Sequence, residues 1–366
     1  MASSLSRAQV LSFRVRAQQL DRDHGSLSDP AVLDLGVQDT GPDGGLWALA
    51  LRGVDVGTLT DDALATVWTV RGAPHLYRRR DLPAVAAAVA PFSDADAGKR
   101  IYDAAKPLKA AGIGTLDALD EVAATMKSVV TGPMVKGEVS TRLAALMGPP
   151  YLRYCRPCDA THLYEMPFRL AALRAGLELQ AGTSPPVLQP IPDFTPAARI
   201  PERFDVVRAY LRFLGPATPQ QVAGYLDAPV ADVKARWPED AVEVLVDGNP
   251  GWVLAADLDA AATDGTGTTR LLGPFDLFLQ ARDRARLVDD PAHAKALWPM
   301  LGRPGGVLLD DEVAGTWRAR RSRSGVRVQV DLWSGGSAAA RAALGQEAER
   351  LAAHRGLPLD ALEVNE

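Results

Sequence analysis

Three groups of residues in this chain have types and spacings that could do chemistry. The first is Cys155-Arg-Pro-Cys158-Asp-Ala-Thr-His162, which gathers both cysteines into a C-x2-C spacing with His162 after three intervening residues. Thiolate and imidazole at that spacing are three of the four ligands a structural zinc wants, with Glu165 or a distant histidine as a fourth. The same residues also suit a pair of reduced, buried thiols, whereas a redox C-x-x-C needs a βαβ setting that is absent around them. The second group is Arg318, Arg320, Arg321, Arg323 and Arg327, five guanidiniums in ten residues of one expected hairpin with no acid among them. Strand alternation would spread them over both faces except at the tip. Such density favours phosphate contact or groove insertion over a merely solvated face. The third is Arg71, His75 and the run Arg78-Arg79-Arg80, which make residues 67–81 net +3. They suit a wing against phosphate, or equally a solvated charge run with His75 hydrogen-bonded in a core.

The elements that must position these groups can be read from pattern. Ser6-Arg-Ala-Gln9 is a capping box opening an amphipathic helix over about 7–20, with Val10, Phe13, Val15 and Leu20 apolar. Leu46–Leu51 reads as buried. Asp61 and Asp62 after Thr60 predict a second helix, and Val67–Tyr77 predicts strands with a Gly/Pro interruption. Helices are expected after Asp81, over Ala110–Val129 and over Lys136–Leu146. Tyr151–His162 reads as irregular, Tyr164–Leu179 as amphipathic, and residues 181–200 as a linker. Phe204–Leu214 is helical. Thr218-Pro219-Gln-Gln221 caps a second helix, Val230–Arg236 is a third, and Val242–Val246 with Gly251–Ala255 is a hairpin. Beyond about 266 come strands at Val307–Leu309, Gly315–Arg321 and Val326–Trp333, then a helix over Ala338–Ala353.

The expected class is therefore α+β, with tandem winged helices and a small C-terminal β-containing domain. The division is 1–80 as a first winged helix, 81–200 as a helical winged-helix-like domain plus linker, 201–264 as a third winged helix, and 265–366 as a β-hairpin/α domain. At 366 residues and 47% hydrophobic content, several sizeable cores are affordable. Lys+Arg 40 against Asp+Glu 45 gives net −5, which excludes a wholesale polycation, so nucleic-acid binding must rest on local patches. The helix-turn-helix of 201–264 has five basic residues against eleven acidic ones, so it reads as a structural arm rather than the DNA reader. No apolar stretch approaches a membrane span and the N-terminus lacks a signal-peptide pattern. With only two cysteines, a reducing cytoplasmic setting is expected. No phosphate-cradling G-x-x-x-x-G-K-[ST] or G-x-G-x-x-G run occurs, so no nucleotide cofactor is expected.

Four stretches together carry a resemblance. They are Gly36-Val-Gln38, Arg71-Gly-x-x-His75, Gly215-Pro-Ala-Thr218, and Phe275-Asp-Leu-Phe-Leu with Arg282-Asp-Arg284 and Gly315-Thr-Trp-Arg318. In this order they resemble a family of tandem winged-helix proteins that includes bacterial glycosylases unhooking alkylated or crosslinked DNA, among them azinomycin-type self-resistance enzymes. The resemblance implies double-stranded DNA as partner, no required cofactor and hydrolysis of the N-glycosidic bond of alkylated purines. A non-catalytic DNA-binding or transcription-associated protein is the alternative. Family members carry Gln-x-Gln or Gln-x-Asp after the first helix. Here Gln38 matches, Thr40 holds the second position and Asp39 is displaced by one residue. Gln38 could orient a water, and the Asp39 carboxylate could steady an oxocarbenium-like sugar. The other reading is that Gln-Asp-Thr-Gly caps a turn, with Asp39 bonding backbone amides.

Overall fold

The computed structural model describes residues 3–366 apart from the side chain of Cys158. Helix and sheet are both abundant, as an α+β chain requires. The chain forms two compact units with interleaved segments. One comprises Met1–Leu59, Arg208–Val222 and Pro238–Glu366; the other comprises Thr60–Val207 and Ala223–Trp237.

In the first unit the capping box forms as expected. Ser6 Oγ accepts from the Gln9 N–H at 3.2 Å and Gln9 Oε1 accepts from the Ser6 N–H at 3.0 Å, opening the helix Arg7–Ala17. Val10 and Phe13 from that helix pack with Val244, Val246 and Val253 of a small sheet. Its hairpin joins Ala241–Val246 to Asn249–Leu254, and Ser3–Leu5 adds in parallel at the edge. Asp247 and Gly248 both have positive φ, the backbone a two-residue hairpin turn needs. A larger sheet follows. Arg270–Leu272, Gly305–Leu309, Glu312–Arg321 and Val326–Leu332 form an antiparallel meander. The helix Ala338–His354 then crosses over to return Leu359–Asn365 parallel to Val326–Leu332. The sequence pattern does not announce that last strand.

Two buried ion pairs fasten the segment between the first two strands of this sheet to the N-terminal helices. Asp276 takes Arg52 at 2.8 and 3.0 Å, and the same guanidinium donates to the carbonyls of Ala48 and Gln18. Asp283 takes Arg14 at 2.7 and 3.0 Å, while Arg14 Nε donates to the Gly215 carbonyl.

The second unit holds an antiparallel sheet in the order Pro74–Arg78, Leu64–Trp68, Leu177–Leu179, Val187–Pro190, Met134–Val135. The helices Thr115–Val129, Lys136–Leu146 and Glu165–Arg174 pack a common core with Trp68 and Leu188. Three expectations are corrected here. Asp61 and Asp62 lie in a turn, and the β-branched, aromatic run Leu64–Trp68 is a strand rather than a helix. The helix falls instead at Gly44–Ala50 in the first unit. The stretch read as irregular is a hairpin, Leu152–Cys155 against Ala160–Leu163. The expected linker contains the strand Val187–Pro190, and Gly176 at φ 76 ends the preceding helix before Leu177–Leu179.

Removing one partner of a buried pair leaves an uncompensated charge. Asp276→Ala should therefore cost about 3–5 kcal/mol in urea unfolding. Breaking the exposed Arg142–Glu138 pair should cost under about 1 kcal/mol. Equal effects of the two substitutions would refute the assignment of Asp276 as a structural tether.

Candidate functional site

Gln38 and Asp39 lie in the first unit on a half-buried segment bracketed by Gly36 and Gly41, both at positive φ. Gln38 Nε2 donates to Thr40 Oγ1 at 3.2 Å, so the residue in the second motif position is bonded to the first. Its Oε1 is the group left to accept from a water. The Asp39 carboxylate accepts from the Gly45 N–H at 2.8 Å, at the start of the helix Gly44–Ala50. A Cβ on Gly44 would collide with Asp39 Oδ1, and Gly44 itself sits at φ +54, so glycine is required there. Asp39 is thus a capping residue in the structure, held beside the positive end of a short helix.

Several residues that sequence reasoning did not single out hold this loop. Asp43, the N-cap of the same helix, is gripped by Arg355 at 2.6 and 2.7 Å. Trp47 is fully buried, donates from Nε1 to the Leu271 carbonyl at 2.8 Å, and meets the His354 ring at 5.2 Å. Pro274 stands 4.0 Å from where a Cβ on Gly41 would lie. These contacts join residues far apart in sequence, and no local pattern signals them.

The arginine hairpin is also in the first unit, and its register places Arg320 across from Arg327 but Arg321 across from the core-facing Val326, on the opposite face. Trp317, Val326, Val328 and Val330 point into the core, leaving Arg318, Arg320 and Arg327 exposed on one face. Arg321 and Arg323 are exposed at the tip. Arg327 donates to Asp360 at 2.8 Å, and Arg318 donates to the Gly302 carbonyl at 2.7 Å.

The first basic cluster lies in the second unit and is mostly internal. His75 is 1% exposed; its Nδ1 donates to the Ala73 carbonyl at 2.9 Å and sits 3.0 Å from Thr69 Oγ1. Its Nε2 is buried without a hydrogen-bond partner among the described residues. Burial, with Arg71 nearby, pushes the imidazole down to about 3. Arg71 takes positive φ, donates to the Tyr225 carbonyl at 2.7 Å and lies 4.6 Å over the Tyr225 ring. Arg78 is buried against Asp81 at 3.5 Å, and Arg79 pairs with Glu178 at 2.7 Å. Arg80 is exposed. Packing within the unit thus occupies four of these five side chains.

For the cysteine motif, His162 Nδ1 donates to the Leu163 carbonyl at 2.7 Å, a bond that raises its proton affinity, with Cys155 adding to it. Glu165 is taken by Lys136 at 2.8 Å and Arg169 at 2.6 Å. The Cys158 side chain lies outside the described residues, and among those described no group of His, Cys, Asp and Glu is arranged to hold a metal. No helix among them is long and apolar enough to cross a membrane.

Comparison with known proteins adds two findings. The family described as DNA glycosylase AlkZ-like matches residues 32–354. Among solved structures, Streptomyces sahachiroi DNA glycosylase AlkZ superposes with a TM-score of 0.74 at 22% identity, covering 99% of this chain and 100% of the other. No curated protein sequence matches significantly.

The buried imidazole gives a signed pH expectation. Its folded value lies below the unfolded one near 6.5, so its contribution is complete above about pH 6.5. Below that it is lost by up to about 1.4 kcal/mol per pH unit as the unfolded chain takes up a proton. The His75 ring resonances should not titrate between pH 8 and 5; a midpoint near 6.5 would contradict the buried placement.

Proposed function

The chain belongs to the AlkZ-like family of DNA glycosylases, and on that premise we propose that it is a monofunctional glycosylase hydrolysing the N-glycosidic bond of alkylated or crosslinked purines in duplex DNA. The observation that carries the reading is the family match over residues 32–354, which includes the half-buried Gln38–Thr40 segment at the start of the helix Gly44–Ala50. The tandem winged helices and the four-segment division of the chain belong to the same proposal.

An N7-alkylated purine is already cationic, so it leaves as a neutral base, carrying the electron pair of the C1′–N9 bond without prior protonation. The developing sugar cation needs negative charge nearby, and C1′ needs a water. Gln38, with its Nε2 engaged by Thr40, offers Oε1 to accept one proton of that water and aim its lone pair. Asp39 supplies the charge while one of its oxygens stays bonded to the Gly45 N–H, which fixes its position. The water's oxygen forms the new bond to C1′, and its proton passes to solvent or to Asp39. Water is the only co-reactant needed.

Affinity for DNA falls to the exposed arginines, Arg318, Arg320, Arg321, Arg323 and Arg327 in one unit and Arg80 in the other. Arg320 stands directly across from Arg327, whose charge Asp360 already balances, so Arg320, Arg321 and Arg323 are the hairpin cations best placed for phosphate. Arg71, His75, Arg78 and Arg79 act instead as the scaffold of the second unit.

Asparagine at position 39 keeps an acceptor for the Gly45 N–H and removes the charge. Asp39→Asn should slow base release from an N7-methylguanine duplex by one to three orders of magnitude, about 1.4–4 kcal/mol, with DNA affinity nearly intact. Wild-type excision by this variant would sink the carboxylate role.

A further inference from the structure

Outside the catalytic loop, one exposed feature of the first unit has no role in the reading above. Met300 and Leu301 are 98% and 85% exposed, at the tip of the connection between the helix Pro291–Leu297 and the strand Gly305–Leu309. Other exposed large apolar side chains among the described residues stand singly, as Leu146 and Tyr154 do. Single exposed apolar residues are ordinary, but an adjacent pair this bare is not.

The base of this tip is well fastened. On one side Arg318 of the hairpin donates to the Gly302 carbonyl at 2.7 Å. On the other, the Arg303 guanidinium lies 4.8 Å over the Phe275 ring, and Phe275 follows Pro274, the residue against Gly41 of the Gln38 loop. Before the tip, Trp298 is covered by Arg284 at 4.8 Å. The connection that carries Met300 and Leu301 is thus tied at Arg303 to Phe275, next in sequence to Pro274 near Gly41, and at Gly302 to the arginine hairpin. Two apolar side chains on a fixed base match what enters a base step, and the exposed Arg320, Arg321 and Arg323 of the hairpin bonded to that base offer charge to its phosphates.

We propose that Met300 and Leu301 are a wedge that inserts between base pairs of duplex DNA beside the lesion, unstacking it so that the sugar can reach Gln38 and Asp39. This rests on the glycosylase reading for the identity of the lesion, but the insertion itself can be tested apart from base release. The flanking arginines argue for DNA as the occupant rather than an apolar protein surface. Methionine and leucine are among the residue types that unstack and kink a duplex in this way, and a base must leave the stack before its glycosidic bond can be attacked.

The test uses the full chain and the double variant Met300→Ser, Leu301→Ser, with Leu301→Phe as the conservative control. Both side chains are exposed, so the melting temperature should be unchanged. A duplex carrying 2-aminopurine next to N7-methylguanine should brighten several-fold on saturation with wild type or Leu301→Phe, and by less than about a third of that with the double variant. Base release from the paired duplex should fall at least about tenfold in the double variant, and by less than about twofold when the lesion sits unpaired in a bulge. A wild-type fluorescence rise with the double variant would overturn the wedge, as would equal loss of release on paired and bulged substrates. If wild type brightens the probe yet releases no base, the wedge stands and the glycosylase reading fails.

Discussion

The pairing of Arg52 with Asp276, both almost fully buried, is the interaction on which the rest of the candidate site depends. Taking a guanidinium and a carboxylate out of water costs several kcal/mol for each ion, and attraction offsets this only where geometry is good and the remaining donors are satisfied. Both conditions hold. The contact is bidentate, and Arg52 also reaches the carbonyls of Ala48 and Gln18 and the Gln18 side chain. Arg14 and Asp283 repeat the arrangement seven residues along. Between them these pairs fix the segment from Pro274 to Asp283 onto the N-terminal helices. That segment in turn sets Pro274 against Gly41 and leaves the Leu271 carbonyl to receive Trp47. The Gln38–Thr40 loop is thus bordered by contacts made outside it as well as by its own bonds to Thr40 and Gly45.

What the sequence revealed follows from how local each interaction is. Both capping boxes, Ser6–Gln9 and Thr218–Gln221, formed because the bonds span three residues and need no tertiary help. The hairpin of Ala241–Val246 with Asn249–Leu254 was legible from its turn residues. The helix expected after Thr60 failed because Asp61 and Asp62 suit a turn as well as a helix start, and the β-formers after them prevailed. The strand Leu359–Asn365 has little alternation to announce it and exists because Val326–Leu332 offers an edge. Phe275-Asp-Leu-Phe-Leu is recognisable as a motif, but its role lies in the pairing of Asp276 with Arg52, which no local pattern announces.

Charge shows the same division. A chain of net −5 cannot bind a polyanion by its average composition, so the placement of its arginines decides the matter. The run at 78–80 looks as basic in sequence as the hairpin at 318–327, but Arg78 and Arg79 face acids within their own unit. In the hairpin, a core filled by Trp317 and the valines of the opposite strand turns Arg318, Arg320 and Arg327 together toward solvent. Burial of the apolar face, rather than the density of arginine, is what gathers Arg318, Arg320 and Arg327 on one face, where Asp360 already pairs with Arg327.

The central claim is that Gln38 sits where a glycosidic bond is hydrolysed. Mass spectrometry of the low-mass fraction, after the purified protein meets a duplex containing N7-methylguanine, tests it most directly. Free N7-methylguanine should appear in step with abasic sites, and Gln38→Ala should suppress it by at least about tenfold while still binding the duplex. A wild-type protein that binds the duplex and liberates no base would contradict the claim.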